Sequence, residues 1–123
     1  MRKQISENEI EKAIKAIKDC GIAKGADKLE VPSEFKGYIS SFGASVIQSG
    51  ILSALLFFED KGGASEDRHK LMEAILKMND WESSTNSLVA FYKDTTVNKS
   101  EIESKILQSA ITIKLALRTF KYI

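Results

Sequence analysis

From Tyr38 to Phe58 the chain reads YISSFGASVIQSGILSALLFF, without one Asp, Glu, Lys or Arg, in a protein whose charged residues make up 28% of the total. So long a run without charge has to be covered, by the rest of the chain or by lipid, and this limits the fold more than any other feature. At about 100° per residue, Gly43, Ile47, Gly50 and Ala54 recur at i, i+4, i+7 and i+11 on one stripe, whose small residues let a second helix come close. Val46, Leu52, Leu55, Leu56, Phe57 and Phe58 occupy the other sides, which predicts a helix buried within a bundle. Gly43, Ile47, Gly50, Ile51, Ala54, Leu55 and Phe57 are the expected structural core. A glycine inside a helix costs about 1 kcal/mol against alanine, so Gly37, Gly43 and Gly50 weaken the run and predict a kink or break near Ser49–Gly50, giving two helices.

The lipid alternative fails on composition. Ser40, Ser41, Ser45, Gln48, Ser49 and Ser53 dilute the hydropathy, and no Lys or Arg cluster flanks the run as an orientation signal. The first residues, MRKQISENEIEK, carry neither an apolar segment nor a small-residue cleavage site, so a cytoplasmic protein without membrane contact is expected. A length of 123 residues suits a single domain, 1–123, with a core that needs no disulfide or metal. The one cysteine, Cys20, has no internal partner and is expected to be an inert, inward-facing thiol.

Helix signals recur along the rest of the chain. Ser6 with Glu9 forms a capping box and Ile5 with Ile10 a hydrophobic staple, so the first helix should begin at Ser6, with Ile10, Ala13, Ile14 and Ile17 inward and Gly21 just past its end. Residues 21–31 read as a linker or a short extra turn, ended by Pro32, with the uncharged helix starting near Ser33. A third helical pattern opens at Ser65 and carries Leu71, Ala74, Ile75 and Met78. A short one lies between Ser84 and Thr95, with Leu88, Phe91 and Tyr92 inward. Asn98 with Glu101 and Val97 with Ile102 repeat the capping box and staple, and predict a last helix from Lys99 to the terminus. Nothing alternates with period two over a useful length. The expected fold is therefore all-α, a bundle of about five to six helices around a central uncharged helix pair.

Catalytic chemistry finds little support. Glu66, His69 and Glu73 share a helix face, yet the Glu-x-x-His pattern occurs once, whereas a di-metal carboxylate site needs a second copy and two more inward carboxylates. No metalloprotease, nucleophile-elbow or phosphate-loop motif is present, so neither a cofactor nor an enzymatic activity is expected. The balance of 18 basic against 17 acidic residues excludes a generally basic nucleic-acid binder and leaves room for local contacts. Two basic stripes qualify. Lys12, Lys15 and Lys18 lie opposite the inward face of the first helix, and Lys114, Arg118 and Lys121 recur at i, i+4 and i+7 on the last. Each reads either as a solvated face or as a set of phosphate contacts.

The stretch Val46-Ile47-Gln48-Ser49-Gly50-Ile51-Leu52-Ser53-Ala54-Leu55-Leu56-Phe57-Phe58, preceded by Phe35 and Tyr38, resembles the signature helix pair of a small CRISPR protein family, the small subunit of the type III-B effector or Cmr complex. Gly50-Ile51, Ala54-Leu55 and Phe57 carry the match best, and the order of elements around them fits loosely over nearly the whole chain. The resemblance implies a short, all-helical, non-catalytic subunit that stacks in more than one copy beside the backbone subunits of an RNA-guided complex. Its partners would be those subunits, further copies of itself, and the guide and target RNA, with base pairing supplying sequence specificity. A free-standing helical adaptor that takes a partner helix in its groove, with no RNA, is the alternative.

Overall fold

The computed structural model describes residues 5–60 and 67–123. Along the chain they form α1 (Glu7–Asp19), β1 (Glu30–Val31), α2 (Glu34–Ser49), α3 (Ile51–Glu59), α4 (His69–Met78), α5 (Leu88–Asp94), α6 (Lys99–Leu117) and β2 (Lys121–Tyr122). Among the described residues the fold is all-α apart from one short parallel pair, in which Glu30 lies opposite Lys121 and Val31 opposite Tyr122, and an isolated antiparallel bridge between Lys24 and Glu30. The expected helix start at Ser65 lies outside the described residues, but Asp67 and Arg68, which it would place in the first turns of that helix, form a turn, and α4 begins only at His69; the glycines after Lys61, read from sequence as a flexible connection, also lie outside the described residues.

α1 begins as its sequence dictates. Ser6 is extended and its side chain accepts a hydrogen bond from the Glu9 amide at 3.2 Å, satisfying one of the donors that a helix start leaves open. Gly21, at φ +78°, then turns the chain out of the helix. The break predicted in the uncharged run falls at Gly50. Its φ of 85° and ψ of 162° belong to a region that essentially glycine alone occupies, and α2 stops there while α3 starts at the next residue.

The role expected of the glycines is corrected by the space around them. A Cβ placed on Gly43 or on Gly50 would meet nothing within 4 Å, so neither marks a close helix crossing; Gly50 is needed for its backbone conformation. The expected core is corrected as well. Ile51, Ala54, Leu55 and Phe58 of α3 are buried, with Phe35, Ile39 and Phe42 of α2, but Ile47 is 87% exposed and Phe57 56%. The break explains this. α2 buries the stripe Phe35, Ile39, Phe42, with Val46 half-buried at its end, and α3 buries Ile51, Leu55, Phe58, so Ile47, Leu52, Leu56 and Phe57 fall on the opposite sides. The uncharged pair forms one wall of the bundle and is not enclosed by it.

The other walls come from Ala13, Ala16 and Ile17 of α1, Leu71, Met72 and Ile75 of α4, Leu88 and Tyr92 of α5, and Ile106, Ile113 and Leu117 of α6. Phe42 meets Phe58 edge to face at 5.2 Å, tying α2 to α3 across the break. Asn79 at the end of α4 donates to the Ser109 hydroxyl at 2.9 Å and so reaches α6.

Two further expectations give way at the ends of α6. Asn98 adopts left-handed φ and its side chain makes no capping bond, while Val97 is 71% exposed; neither box nor staple forms, and the Glu101 and Ile102 amides donate to the Asn98 carbonyl. At the other end the helix stops at Leu117 and does not run to the terminus. Arg118, Thr119 and Phe120 donate to carbonyls three residues back, the Thr119 hydroxyl donates to Ala116 O at 2.8 Å, and Phe120 turns into the core. The chain then lies along residues 29–33, with Lys121 N on Leu29 O and Ile123 N on Val31 O, each at 3.0 Å. The segment expected to be a linker thus contains the partner strand.

Candidate interaction surfaces

The first basic stripe stands on the outer side of α1. Burial of Ala13, Ala16 and Ile17 turns Lys12 and Lys15 to solvent, with Lys18 half-buried. Their field is not purely positive. A shallow cleft of about 340 Å³ between α1 and the end of α4 is lined by Lys12, Lys15 and Lys77 and also by Asp19, Asp80 and Glu82. Lys12 also borders a groove of about 610 Å³ beside α6, where Lys105 lies 3.6 Å from Glu101 and Leu107 and Ile111 supply the apolar lining. At the edge of that groove the buried Gln108 Nε2 has no partner among the described residues.

The second basic stripe does not exist as a helical row. Lys114 is on α6, Arg118 is the residue that caps it, and Lys121 belongs to β2. All three side chains are exposed, but the i+7 spacing to Lys121 carries no helical meaning once the helix has ended.

The histidine sits in a third cavity, of about 510 Å³, with Cys20, Glu59, Glu73, Glu82 and Lys77 among its walls. His69 Nε2 is 3.4 Å from the Glu73 carboxylate one turn on. Glu59 is already engaged: its two oxygens accept from the Ser87 hydroxyl at 2.7 Å and the Val89 amide at 2.9 Å, holding the start of α5 against the end of α3. Among the described residues no three His, Cys, Asp or Glu side chains are grouped to hold a metal ion, and Glu66 of the sequence-predicted trio lies outside them. Burial, and after it the Glu73 carboxylate, push the Cys20 thiol up to about 11, away from nucleophilic use.

The feature missed at the level of sequence is the outer face of α3. Leu52, Leu56 and Phe57 are exposed at 37%, 53% and 56%, with Ser53 between them and Ile47 just before the break. Counting from the buried stripe Ile51, Leu55, Phe58 would have found it, because those positions leave 52, 56 and 57 on the reverse side of the helix. No described helix is long and apolar enough to cross a membrane.

The model of the protein family described as CRISPR-associated protein (Cas_Cmr5) matches residues 5–112, a span that holds α1 to α5, most of α6 and the Lys12–Lys15–Lys18 stripe, and stops short of Lys114, Arg118 and Lys121. No curated protein and no solved structure matches the chain.

Proposed function

Because the chain belongs to the CRISPR-associated Cas_Cmr5 family, whose members are subunits of the Cmr complex, we propose that it is the non-catalytic small subunit of an RNA-guided type III-B effector and helps to hold the guide and target RNA. The observation that carries this reading is the family match over nearly all of the helical body. In this reading copies of the subunit stack beside the backbone subunits, and the cleavage and signalling steps belong to other chains. The exposed Lys12 and Lys15, with Lys18, take phosphate oxygens by charge and shape, while base pairing reads the sequence. Lys114, Arg118 and Lys121 form a second, separate contact.

The near-neutral balance of 18 basic and 17 acidic residues fits such a part. One copy neutralises few phosphates and binds RNA weakly alone, but several copies on one connected strand add their contacts through effective concentration. The test is reconstitution of the guide-loaded complex with and without this subunit. The expected result is co-elution of the subunit with the complex and tighter retention of target RNA, against weak binding by the free protein. A subunit that neither co-elutes nor changes target retention would overturn the reading and leave the adaptor alternative.

A further inference from the structure

Tyr122 sits where three separated parts of the chain meet. Pairing of β2 with β1 sets it beside Val31, and the tail is fastened by Ile123 N on Val31 O and by the Ser33 amide on Ile123 O, each at 3.0 Å. Ser33 leads into α2, and one turn on, Lys36 holds its ammonium over the Tyr122 ring, 5.6 Å from the centroid. Arg118, at the end of α6, completes the group, close enough for its charge to act on the Tyr122 hydroxyl. Burial pushes that hydroxyl up, with the Arg118 charge acting against it, so at neutral pH it keeps its proton and remains a donor.

None of these three donor groups is spent. Lys36 and Arg118 are exposed, and among the described residues neither is paired with a carboxylate and the Tyr122 hydroxyl has no hydrogen-bond partner. The acidic residues nearest in sequence are turned away. Glu30 precedes Val31 in β1, so strand alternation puts it on the other face from Val31 and Tyr122, where its carboxylate lies against Gly25 and Lys121 is its paired neighbour. Glu34 is two positions before Lys36 on α2, and helical residues so spaced do not share a face. An ammonium, a guanidinium fork and a phenol hydroxyl together complement a phosphodiester, which offers two charged oxygens to the cations and ester oxygens to the neutral donor. We propose that Lys36, Tyr122 and Arg118 form one phosphate site, which takes a backbone phosphate of the RNA strand and is assembled by the pairing of β2 with β1. This inference rests on the proposed hold on RNA. It adds to Arg118 two residues that no spacing in the sequence joins to it, and both Arg118 and Tyr122 lie beyond residues 5–112, which the family model matches.

The experiment is filter binding of labelled target RNA, across a salt series, to guide-loaded complexes assembled with Lys36→Gln, Arg118→Gln, the double variant, Tyr122→Phe, or Lys93→Gln on the exposed side of α5. Thermal unfolding of each free subunit checks that it folds. Lys36→Gln and Arg118→Gln are each expected to weaken binding by roughly three- to tenfold at low salt, with a shallower salt slope. Tyr122→Phe should weaken it by roughly two- to fivefold with the slope unchanged, since no charge is removed, and Lys93→Gln should match the wild type. Because both cations meet one phosphate, the double variant should lose less than the product of the two single losses. Wild-type affinity with either Lys36→Gln or Tyr122→Phe, or single losses that multiply in the double variant, would overturn this inference alone, provided that leaving the subunit out still weakens target binding. No effect from leaving it out would overturn the proposed function as well. Loss of the variant subunits from the complex before target is added would overturn the inference in favour of an acidic protein surface at this site.

Discussion

α1 and α3 both lay one side on the same core, and they differ in what they show to solvent. α1 buries Ala13, Ala16 and Ile17 and presents Lys12 and Lys15 among Glu7, Glu9 and Glu11; α3 buries Ile51, Leu55 and Phe58 and presents Leu52, Leu56 and Phe57. A charged outer face stays hydrated and can meet phosphate, whereas an apolar one gains by being covered. Hydrophobicity alone therefore does not say which residues of a helix are the core. In α3 it takes the register of the helix to tell inner leucines from outer ones.

The sharpest way to break that distinction is to truncate neighbouring leucines of α3. Leu55→Ala, at a fully buried position, should lose about 2–5 kcal/mol in denaturant unfolding, while Leu56→Ala, one residue on, should stay within about 0.5 kcal/mol. Equal losses would mean that α3 is enclosed on both sides. The next largest effect concerns the residue that sets the register. Gly50→Ala should cost about 1–3 kcal/mol through backbone strain at φ +85°, because space is open around the position. Gly43→Ala, inside α2 with equally open space, should be neutral or gain up to about 1 kcal/mol in helix propensity. Losses of similar size at both would restore the close-packing stripe.

On α1 the effects are smaller. Ser6→Ala removes the bond to the Glu9 amide and should cost about 1 kcal/mol, read from the shift in the unfolding midpoint. Cys20, at the end of α1, supplies a pH signature. Its thiol is held neutral up to about 11 in the folded protein against an ordinary value of 9.0, so the folded state favours the protonated form. That contribution is complete below pH 9 and is lost as pH rises from there towards 11. Alkylation of Cys20 at pH 8 should accordingly be slow in the native protein and fast in denaturant; equal rates would show an accessible, unperturbed thiol.

α1, α4 and the break at Gly50 were legible because each has a local cause: a capping serine, a clean apolar stripe set against charge, a glycine where only glycine fits. α3 was misjudged because its outward residues are as apolar as its inward ones, so periodicity had no contrast to work on. The end of α6 was misjudged for a different reason. Its apolar stripe continues through Leu117 to Phe120, but the turn at Thr119 and the pairing of Lys121 and Tyr122 with residues 30–31 depend on a segment far away in the chain. Local spacing cannot report a non-local pairing, and the supposed row Lys114, Arg118, Lys121 went with it. Arg68 was overlooked because an arginine beside a glycine-rich stretch carries no sign that it folds back onto Phe57.

The proposed hold of the basic positions on RNA is tested most directly by filter binding of labelled target RNA to the reconstituted complex across a salt series. The subunit carries Lys12, Lys15 and Lys18 reversed to Glu, or Lys114, Arg118 and Lys121 reversed to Glu. The expected result is a complex of unchanged composition whose affinity falls and whose salt dependence becomes shallower, by roughly 0.7–0.9 in log–log slope for each phosphate contact removed. Unchanged affinity and slope for both triple variants would contradict it, and would make the basic positions ordinary hydrated surface.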